Sequence, residues 1–188
     1  LLWIETEKPN ITQISEMIDE IRKVKPEAKL VYNNSPSFNW TLAFREQVYN
    51  EWIAAGKDVK DYPNPTKEPK GLMDAKYDET DLAKEADKLI QNFQKDSSKR
   101  AGIFHHLITL PTYHESALGT DILSEGYFGE LGMLAYVRDI QRQEIRRDQA
   151  SVKHQDLAGT TIGDEHKEYF SGKNALLAGG KDSTMKQF

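Results

Sequence analysis

The sequence contains no cysteine among its 188 residues. This absence excludes a disulfide framework, a thiolate metal site and a cysteine nucleophile within the chain, and it fits a cytoplasmic protein. The sequence also lacks a run of the roughly 20 apolar residues needed to cross a bilayer, and it lacks a leader of the secretory type. We therefore expect a soluble, cytoplasmic chain that does not act at a membrane.

Positive charge is scarcer than negative charge. The chain has 25 lysine and arginine residues against 30 aspartate and glutamate residues, a formal net charge of -5 at pH 7. Nucleic-acid binding requires clustered cationic side chains that neutralise phosphates, so we expect no nucleic-acid partner. A local anion site remains compatible with this composition. The 38% hydrophobic and 29% charged residues are typical of a globular chain with one modest core.

Apolar periodicity predicts strands that alternate with helices. Residues 1–4 form an apolar run typical of a buried strand, so we expect an amino-terminal portion of the natural protein to precede them. A helix is predicted to begin after Asn10, with Gln13 supporting the cap, and to end before Pro26. The pattern next predicts a strand at 29–32, a helix ending at Gly56, a loop at 57–80, a helix around 82–93 and a strand at 103–110. Helices are predicted near 112–128 and 131–148, followed by an irregular tail interrupted by glycines.

This alternation indicates an α/β fold with a parallel sheet. Three such units fit either a doubly wound sheet or a segment of a (β/α)8 barrel. In both folds, ligands bind at the carboxyl ends of the strands.

Neutral polar side chains follow two of the predicted strands. Asn33, Ser35 and Ser37 would point to one side if their segment stays extended, and Pro36 favours an extended Ser35. Thr109, at the end of the third strand, offers another hydroxyl. Amide and hydroxyl donors of this kind suit a carboxylate. The alternative is that these side chains only satisfy loop backbone groups, and spacing alone favours that alternative.

Glu5 follows the first strand, and its role stays open at this point. It could accept from a substrate hydroxyl, support a metal-bound water, orient an arginine, or form a structural ion pair. Five histidines are present, but adjacent strand residues such as His105 and His106 face opposite ways. Because no metal-ligand spacing appears either, we expect no histidine metal site, and we expect packing or hydrogen-bonding roles instead.

The hexapeptide SPSFNW at residues 35–40, together with the strand before it, resembles the signature of isocitrate lyases. The similarity continues through LWIET at 2–6, HLITL at 106–110, VKHQD at 152–156 and GKD at 180–182. It therefore covers essentially the whole chain. The insertion before residue 80 resembles a longer branch of that family.

The resemblance implies the last three strands of a (β/α)8 TIM-type barrel followed by extra C-terminal helices. Residues 1–130 would form the partial barrel, with a helical and loop insertion at about 41–100. Residues 131–188 would form a helical segment exchanged between the subunits of a homotetramer. The implied activity is the Mg²⁺-dependent cleavage of isocitrate to glyoxylate and succinate in the glyoxylate cycle.

The resemblance also assigns site residues. Asn33, Ser35, Ser37 and Thr109 match the family's ligands of the succinate-side carboxylate, and Glu5 matches an active-site glutamate. Many members have cysteine where Asn34 stands, but that cysteine is not the catalytic one. The family's KKCGH loop, with its catalytic cysteine and histidine, and its acidic magnesium ligands precede position 1. We therefore expect neither catalytic residues nor metal ligands in this chain, and no lyase activity from the chain alone.

Two alternatives stay open. A 2-methylisocitrate lyase would use the same chemistry on a substrate that differs by one methyl group, which is worth only about 1–3 kcal/mol in an apolar pocket. A non-catalytic binding or assembly module is the third possibility. The intact mass of the natural gene product would separate that module from part of a longer enzyme.

Overall fold

The structure is a computed structural model that describes residues 1–173, 175–180 and 183–184. The chain divides into two compact units, Leu1–Thr112 and Tyr113–Phe188. The last two residues of the GKD match, Lys181 and Asp182, lie outside the described residues.

The first unit alternates strands and helices. Its elements are β1 (Leu2–Ile4), α1 (Ile11–Val24), β2 (Leu30–Asn33), α2 (Trp40–Ala54), α3 (Asp81–Ala101) and β3 (His105–Leu107). The strands form a parallel sheet in the order β1-β2-β3. The predicted α/β class with a parallel sheet is therefore confirmed.

Helix α1 forms where the sequence predicts it because a capping residue precedes its first turn and a proline follows its last turn. The side-chain Oδ1 of Asn10 accepts a hydrogen bond from the backbone N–H of Gln13 at 2.9 Å, which satisfies one of the donors that a helix start leaves free. Pro26 follows the end of the helix. The apolar stripe buries Ile14 and Ile18 in the core of the first unit, where α1 packs against α3.

An aromatic cluster joins α2 and α3 to the central strand. The ring of Phe93 in α3 lies 5.8 Å from Tyr32, 5.1 Å from Trp40 and 5.9 Å from Phe44, measured between centroids. The indole Nε1 of Trp40 also donates to the backbone oxygen of Ser35 at 2.9 Å. The cluster therefore holds the segment that leaves β2, which is the segment carrying the polar residues identified above.

The loop at residues 57–80 is anchored through a buried cation. The guanidinium of Arg45 is almost fully buried, and it donates to the backbone oxygen of Leu72 and to a carboxylate oxygen of Asp78, each at 2.6 Å. Two 3₁₀ turns, Gly71–Met73 and Ala75–Tyr77, shape this part of the loop. The sequence did not reveal the anchor, because an arginine on an amphipathic helix is most often exposed.

Strand β3 is shorter than predicted. Only His105–Leu107 of the expected strand 103–110 pairs with β2. Leu110 has a φ of 55°, a left-handed conformation that ends an extended segment, and helix α4 (Pro111–Phe128) begins immediately after it. Thr109 therefore lies in a bend and not in a strand.

The second unit is helical. After α4 come α5 (Met133–Tyr136), a π-helical turn (Val137–Gln141), α6 (Arg142–Arg146), α7 (His154–Leu157) and α8 (Thr160–Ser171). The prediction of an irregular tail is wrong for α8, because Gly159 lies before the helix at a φ of 88° and Gly163 is accommodated inside it. Among the described residues, no helix is both long enough and apolar enough to span a bilayer.

Candidate functional site

The carboxyl edge of the sheet brings Glu5 and Asn33 together. Ile4 and Tyr32 are register partners in β1 and β2, so the next position along each strand is Glu5 and Asn33. Because side chains alternate along a strand, these two side chains share the sheet face opposite the buried Ile4 and Tyr32. The side-chain Nδ2 of Asn33 donates to Oε1 of Glu5 at 2.9 Å.

The amide of Asn33 keeps unused hydrogen-bonding capacity. Its side chain is only 4% exposed, and its Oδ1 has no hydrogen-bond partner within the described residues. The Nδ2 group carries a second hydrogen besides the one given to Glu5. A buried polar atom without a partner costs free energy, so this position is suited to a ligand or to another polypeptide segment.

Ser35 and Ser37 meet through a turn and not through an extended segment. The backbone N–H of Ser37 donates to Oγ of Ser35 at 3.1 Å, and the N–H of Phe38 donates to the backbone oxygen of Ser35 at 3.2 Å. The extended geometry on which the sequence argument depended is therefore wrong beyond Ser35. The φ of Pro36 suits the second position of a β-turn, and this explains the bend.

Thr109 lies near the same edge without a bond to the others. Leu107 pairs in register with Asn33, and Thr109 follows two residues later. Within the described part of the chain, no hydrogen bond joins Thr109 to Asn33, Ser35 or Ser37. The structure thus pairs Glu5 with Asn33 and Ser35 with Ser37, and it places half-buried Thr109 in a bend two residues beyond the adjacent strand β3.

A second polar network beside this edge was not anticipated from the sequence. The Nδ2 of Asn34 donates to the backbone oxygen of Leu107 at 3.1 Å and lies 3.4 Å from Nδ1 of His106. The Nε2 of His106 lies 3.0 Å from Oγ of Ser98 in α3. Asn34 and His106 therefore tie β2, β3 and α3 together. In the sequence, the one indication of this network was the pair of adjacent asparagines, Asn33 and Asn34, at the end of a predicted strand.

Two groups near the edge have shifted pKa values. Burial lowers the pKa of His106, neighbouring His105 lowers it further, and a hydrogen bond with the backbone of Gln94 acts in the opposite direction. Burial raises the pKa of Tyr32, while the hydroxyl of Thr6 at 2.7 Å opposes this and the charge of Glu5 adds to it. Both shifts favour the neutral forms, so these two side chains act as neutral hydrogen-bonding groups.

Lowering the pH is expected to destabilise the chain through His106. The unfolded ring titrates near pH 6.5, and the folded ring has a lower pKa. Between those values the unfolded state binds a proton that the folded state does not. The stabilisation is therefore complete above about pH 6.5 and is lost as the pH falls towards the folded pKa.

Urea unfolding at pH values between 7.5 and 5 would test this expectation. His106→Gln should show a smaller loss of the free energy of unfolding than the unmodified chain. His154→Gln alters an exposed histidine and is the matched control. An equal loss in His106→Gln and the unmodified chain would contradict the prediction.

The described residues do not form a metal site. Within the ranges that the structure describes, no group of three or more histidine, cysteine, aspartate or glutamate side chains is placed to hold an ion. Glu5 is engaged with the amide of Asn33. The chemistry of this edge is therefore that of neutral donors suited to an anion, with one carboxylate beside them.

The sequence of the chain is similar to those of known proteins. The model of the isocitrate lyase family matches residues 1–59 and 76–188. Isocitrate lyase of Pseudomonas aeruginosa is 62% identical over all 188 residues, which correspond to 34% of that protein. Isocitrate lyase of Oryza sativa subsp. japonica is 30% identical, and mitochondrial 2-methylisocitrate lyase of Hypocrea atroviridis is 28% identical. The chain covers 26% of each of these two proteins.

The chain thus spans about a third or less of the length of these curated relatives. The family match covers both units and excludes only residues 60–75, which lie in the loop anchored by Arg45. The residues at the carboxyl edge of the sheet all fall inside the matched ranges. This chain belongs to the isocitrate lyase family.

Proposed function

We propose that this chain is the carboxy-terminal part of an isocitrate lyase that cleaves isocitrate to glyoxylate and succinate. The observation that carries the proposal is the 62% identity, over the whole chain, to isocitrate lyase of Pseudomonas aeruginosa. The polar sheet edge supports it, because its neutral donors suit a dicarboxylate product. The 28% identity to a 2-methylisocitrate lyase makes that activity the second candidate.

The three strands would be the last three of a (β/α)8 barrel. They are parallel and follow one another in chain order, as in such a barrel. Within the described residues, β1 and β3 each pair on one side only, and Leu1 and Trp3 at the β1 edge are 86% and 57% exposed. Exposed apolar residues on an unpaired strand edge fit a missing neighbouring strand.

The carboxylate site would use four neutral side chains. Asn33 would donate the second hydrogen of its amide, and Ser35, Ser37 and Thr109 would donate their hydroxyls to the succinate-side carboxylate. Such donors hold an anion through several hydrogen bonds without a fixed counter-charge. Glu5 would lie at the border of this site.

The remaining chemistry would come from another part of the enzyme. The family implies a metal cofactor, Mg²⁺ in this proposal, and the described residues do not fit one. The chain also has no cysteine that could serve as the family's catalytic cysteine. In this proposal, residues 1–112 bind the succinate end of the substrate, and another part of the enzyme supplies the metal and the catalytic cysteine.

The helical region would mediate assembly. We place the partial barrel at 1–130, with its insertion at about 41–100, and a segment for subunit exchange in a homotetramer at 131–188. Large apolar side chains of this region are exposed within the second unit, among them Leu157, Ile162, Tyr169 and Phe170. Exposed apolar surface of this kind is typical of an interaction site.

Activity assays would test the proposed function. The longer polypeptide that contains this chain is expected to release glyoxylate from isocitrate and Mg²⁺, and the 188-residue chain alone is expected to release none. Faster cleavage of 2-methylisocitrate by the longer polypeptide would favour the second candidate. Glyoxylate release by the isolated chain would contradict the division of roles. A natural product of only this mass would favour the non-catalytic module.

A further inference from the structure

We propose that Ser98, His106 and Asn34 form a pH-sensitive latch between α3, β3 and β2, in which protonation of His106 reverses the Asn34 amide and loosens the contact between the two strands. The inference concerns the sheet and not a ligand, so it does not depend on the proposed function. It makes His106 a positioning residue that acts through Asn34.

The closed state of the latch is built around the backbone oxygen of Leu107. This oxygen accepts from the backbone N–H of Asn34 at 2.8 Å and from the side-chain Nδ2 of the same residue at 3.1 Å. Asn34 is 5% exposed, so water competes weakly for these bonds. The acceptor fixes the amide, because only the Nδ2 end of an asparagine donates. Leu107 therefore sets which end of the amide lies beside His106.

The amide in turn selects one form of the His106 ring. Nδ1 lies 3.4 Å from Nδ2 of Asn34, which carries only hydrogens, so this ring nitrogen can face it only as an acceptor. The proton of the neutral ring then lies on Nε2, which is 3.0 Å from Oγ of Ser98. The backbone of Gln94 raises the pKa of His106, the effect of an acceptor that faces a ring N–H. These contacts all suit a neutral imidazole that is protonated on Nε2.

A protonated ring requires another arrangement of the amide. Both ring nitrogens then carry hydrogens, and the hydrogen on Nδ1 would face those of Nδ2. Exchanging the two ends of the Asn34 amide removes this conflict, because Oδ1 then accepts from Nδ1. That oxygen is buried and has no other hydrogen-bond partner within the described residues. The same exchange sets Oδ1 against the backbone oxygen of Leu107, so the strands lose one hydrogen bond and the backbone bond beside it weakens.

The surroundings of His106 define the pH range of the latch. Burial lowers the pKa of the ring, and the charge of His105 on the same strand lowers it further. Tyr32 of β2 is a second titratable neighbour, whose ring lies 6.2 Å from the imidazole and whose raised pKa keeps it neutral. From α3 the ring meets the uncharged hydroxyl of Ser98 and the backbone of Gln94. The latch is therefore closed above about pH 6.5 and opens as the pH falls through the lower pKa of the folded ring.

Hydrogen exchange in the longer polypeptide that contains this chain would test the latch. The protection factor of the Asn34 backbone amide, corrected for the pH dependence of intrinsic exchange, is measured by mass spectrometry between pH 7.5 and pH 5. Exchange of the imidazole C2 hydrogen in the same samples follows the titration of His106 itself. We expect the protection factor to fall about tenfold as His106 takes up its proton, the size typical of one lost hydrogen bond.

Three variants separate the latch from a general effect of acid. His106→Gln cannot take up the proton and Asn34→Ala lacks the amide that must turn, so the protection factor should be independent of pH in both. His105→Gln removes a neighbouring charge and should move the fall in protection to higher pH. His154→Gln, at an exposed position, is the control that should behave as the unmodified protein.

Two results would overturn the inference. One is a protection factor that stays constant while His106 titrates, or a ring that remains neutral down to pH 5. The other is a pH dependence that persists in Asn34→Ala, because His106 would then act through another group. Either result would leave the proposed function intact, since no ligand takes part in the measurement.

Discussion

On the proposed function, Asn33→Asp in the longer polypeptide that contains this chain is expected to lower kcat/KM for isocitrate by about a thousandfold at pH 8, which corresponds to about 4 kcal/mol of transition-state stabilisation. The substitution preserves the shape of the side chain but replaces a donor by a carboxylate. That carboxylate would lie where Nδ2 now contacts Oε1 of Glu5, in a position that is 4% exposed. The two negative groups would repel each other and the carboxylate of the substrate.

The pH dependence of this variant identifies the cause. Burial and the neighbouring Glu5 should raise the pKa of the new carboxyl above its ordinary value of about 3.9. As the pH falls, the carboxyl takes up a proton and becomes a neutral donor again. The ratio of kcat/KM between the unmodified enzyme and the variant should therefore decrease between pH 8 and pH 5.5.

Asn50→Asp provides the matched control, because Asn50 is exposed on α2 and the charge change is the same. We expect kcat/KM of this control within about twofold of the unmodified enzyme, as for most exposed substitutions. If Asn33→Asp retained nearly full activity at pH 8, then Asn33 would not contact the carboxylate.

Phe93→Ala is expected to lower the free energy of unfolding of the chain by about 3–5 kcal/mol. The ring is 1% exposed and contacts the rings of Tyr32, Trp40 and Phe44, so its removal leaves a cavity between β2, α2 and α3. A loss of this size is a large fraction of the stability of a typical domain.

Urea unfolding of the chain and its variants measures this loss. Phe128→Ala is the control, because that ring is 84% exposed and its removal should change the free energy by less than about 0.5 kcal/mol. A change below about 1 kcal/mol for Phe93→Ala would mean that the aromatic cluster is not the centre of the core.

The same cluster connects the core to the candidate site. Trp40 lies against Phe93 and holds the backbone oxygen of Ser35 through its indole N–H. Loss of Phe93 is therefore expected to loosen the turn that brings Ser35 and Ser37 together. The position of the two serines depends on packing and not only on their own sequence.

Much of the first unit was predictable from local signals. The cap at Asn10 and the stop at Pro26 bound α1 as expected, and the apolar run before Asn33 forms β2. These elements form where predicted because capping, proline geometry and apolar periodicity act over a few neighbouring residues. The family, too, was identified correctly from the motif at residues 35–40.

Other features of the fold were not predicted from the sequence. Strand β3 ends early because of the backbone at Leu110, and α8 forms in spite of its glycines. Arg45 is buried because the loop at 57–80 folds back to supply Leu72 and Asp78. Periodicity carries no information about such long-range partners, so the burial of Arg45 was absent from the sequence prediction.

The sequence by itself determined the α/β class, the order of the strands and helices along the chain, the family, and the neutral residue types at the strand ends. Only the tertiary structure decided that Glu5 faces Asn33, because that contact requires the register between β1 and β2. The tertiary structure also decided that Ser35 and Ser37 meet through a turn. A turn forms there because hydrogen bonds and packing stabilise it more than the extended backbone conformation. Residue types specify the available chemistry, and strand register and core packing specify which of those groups meet.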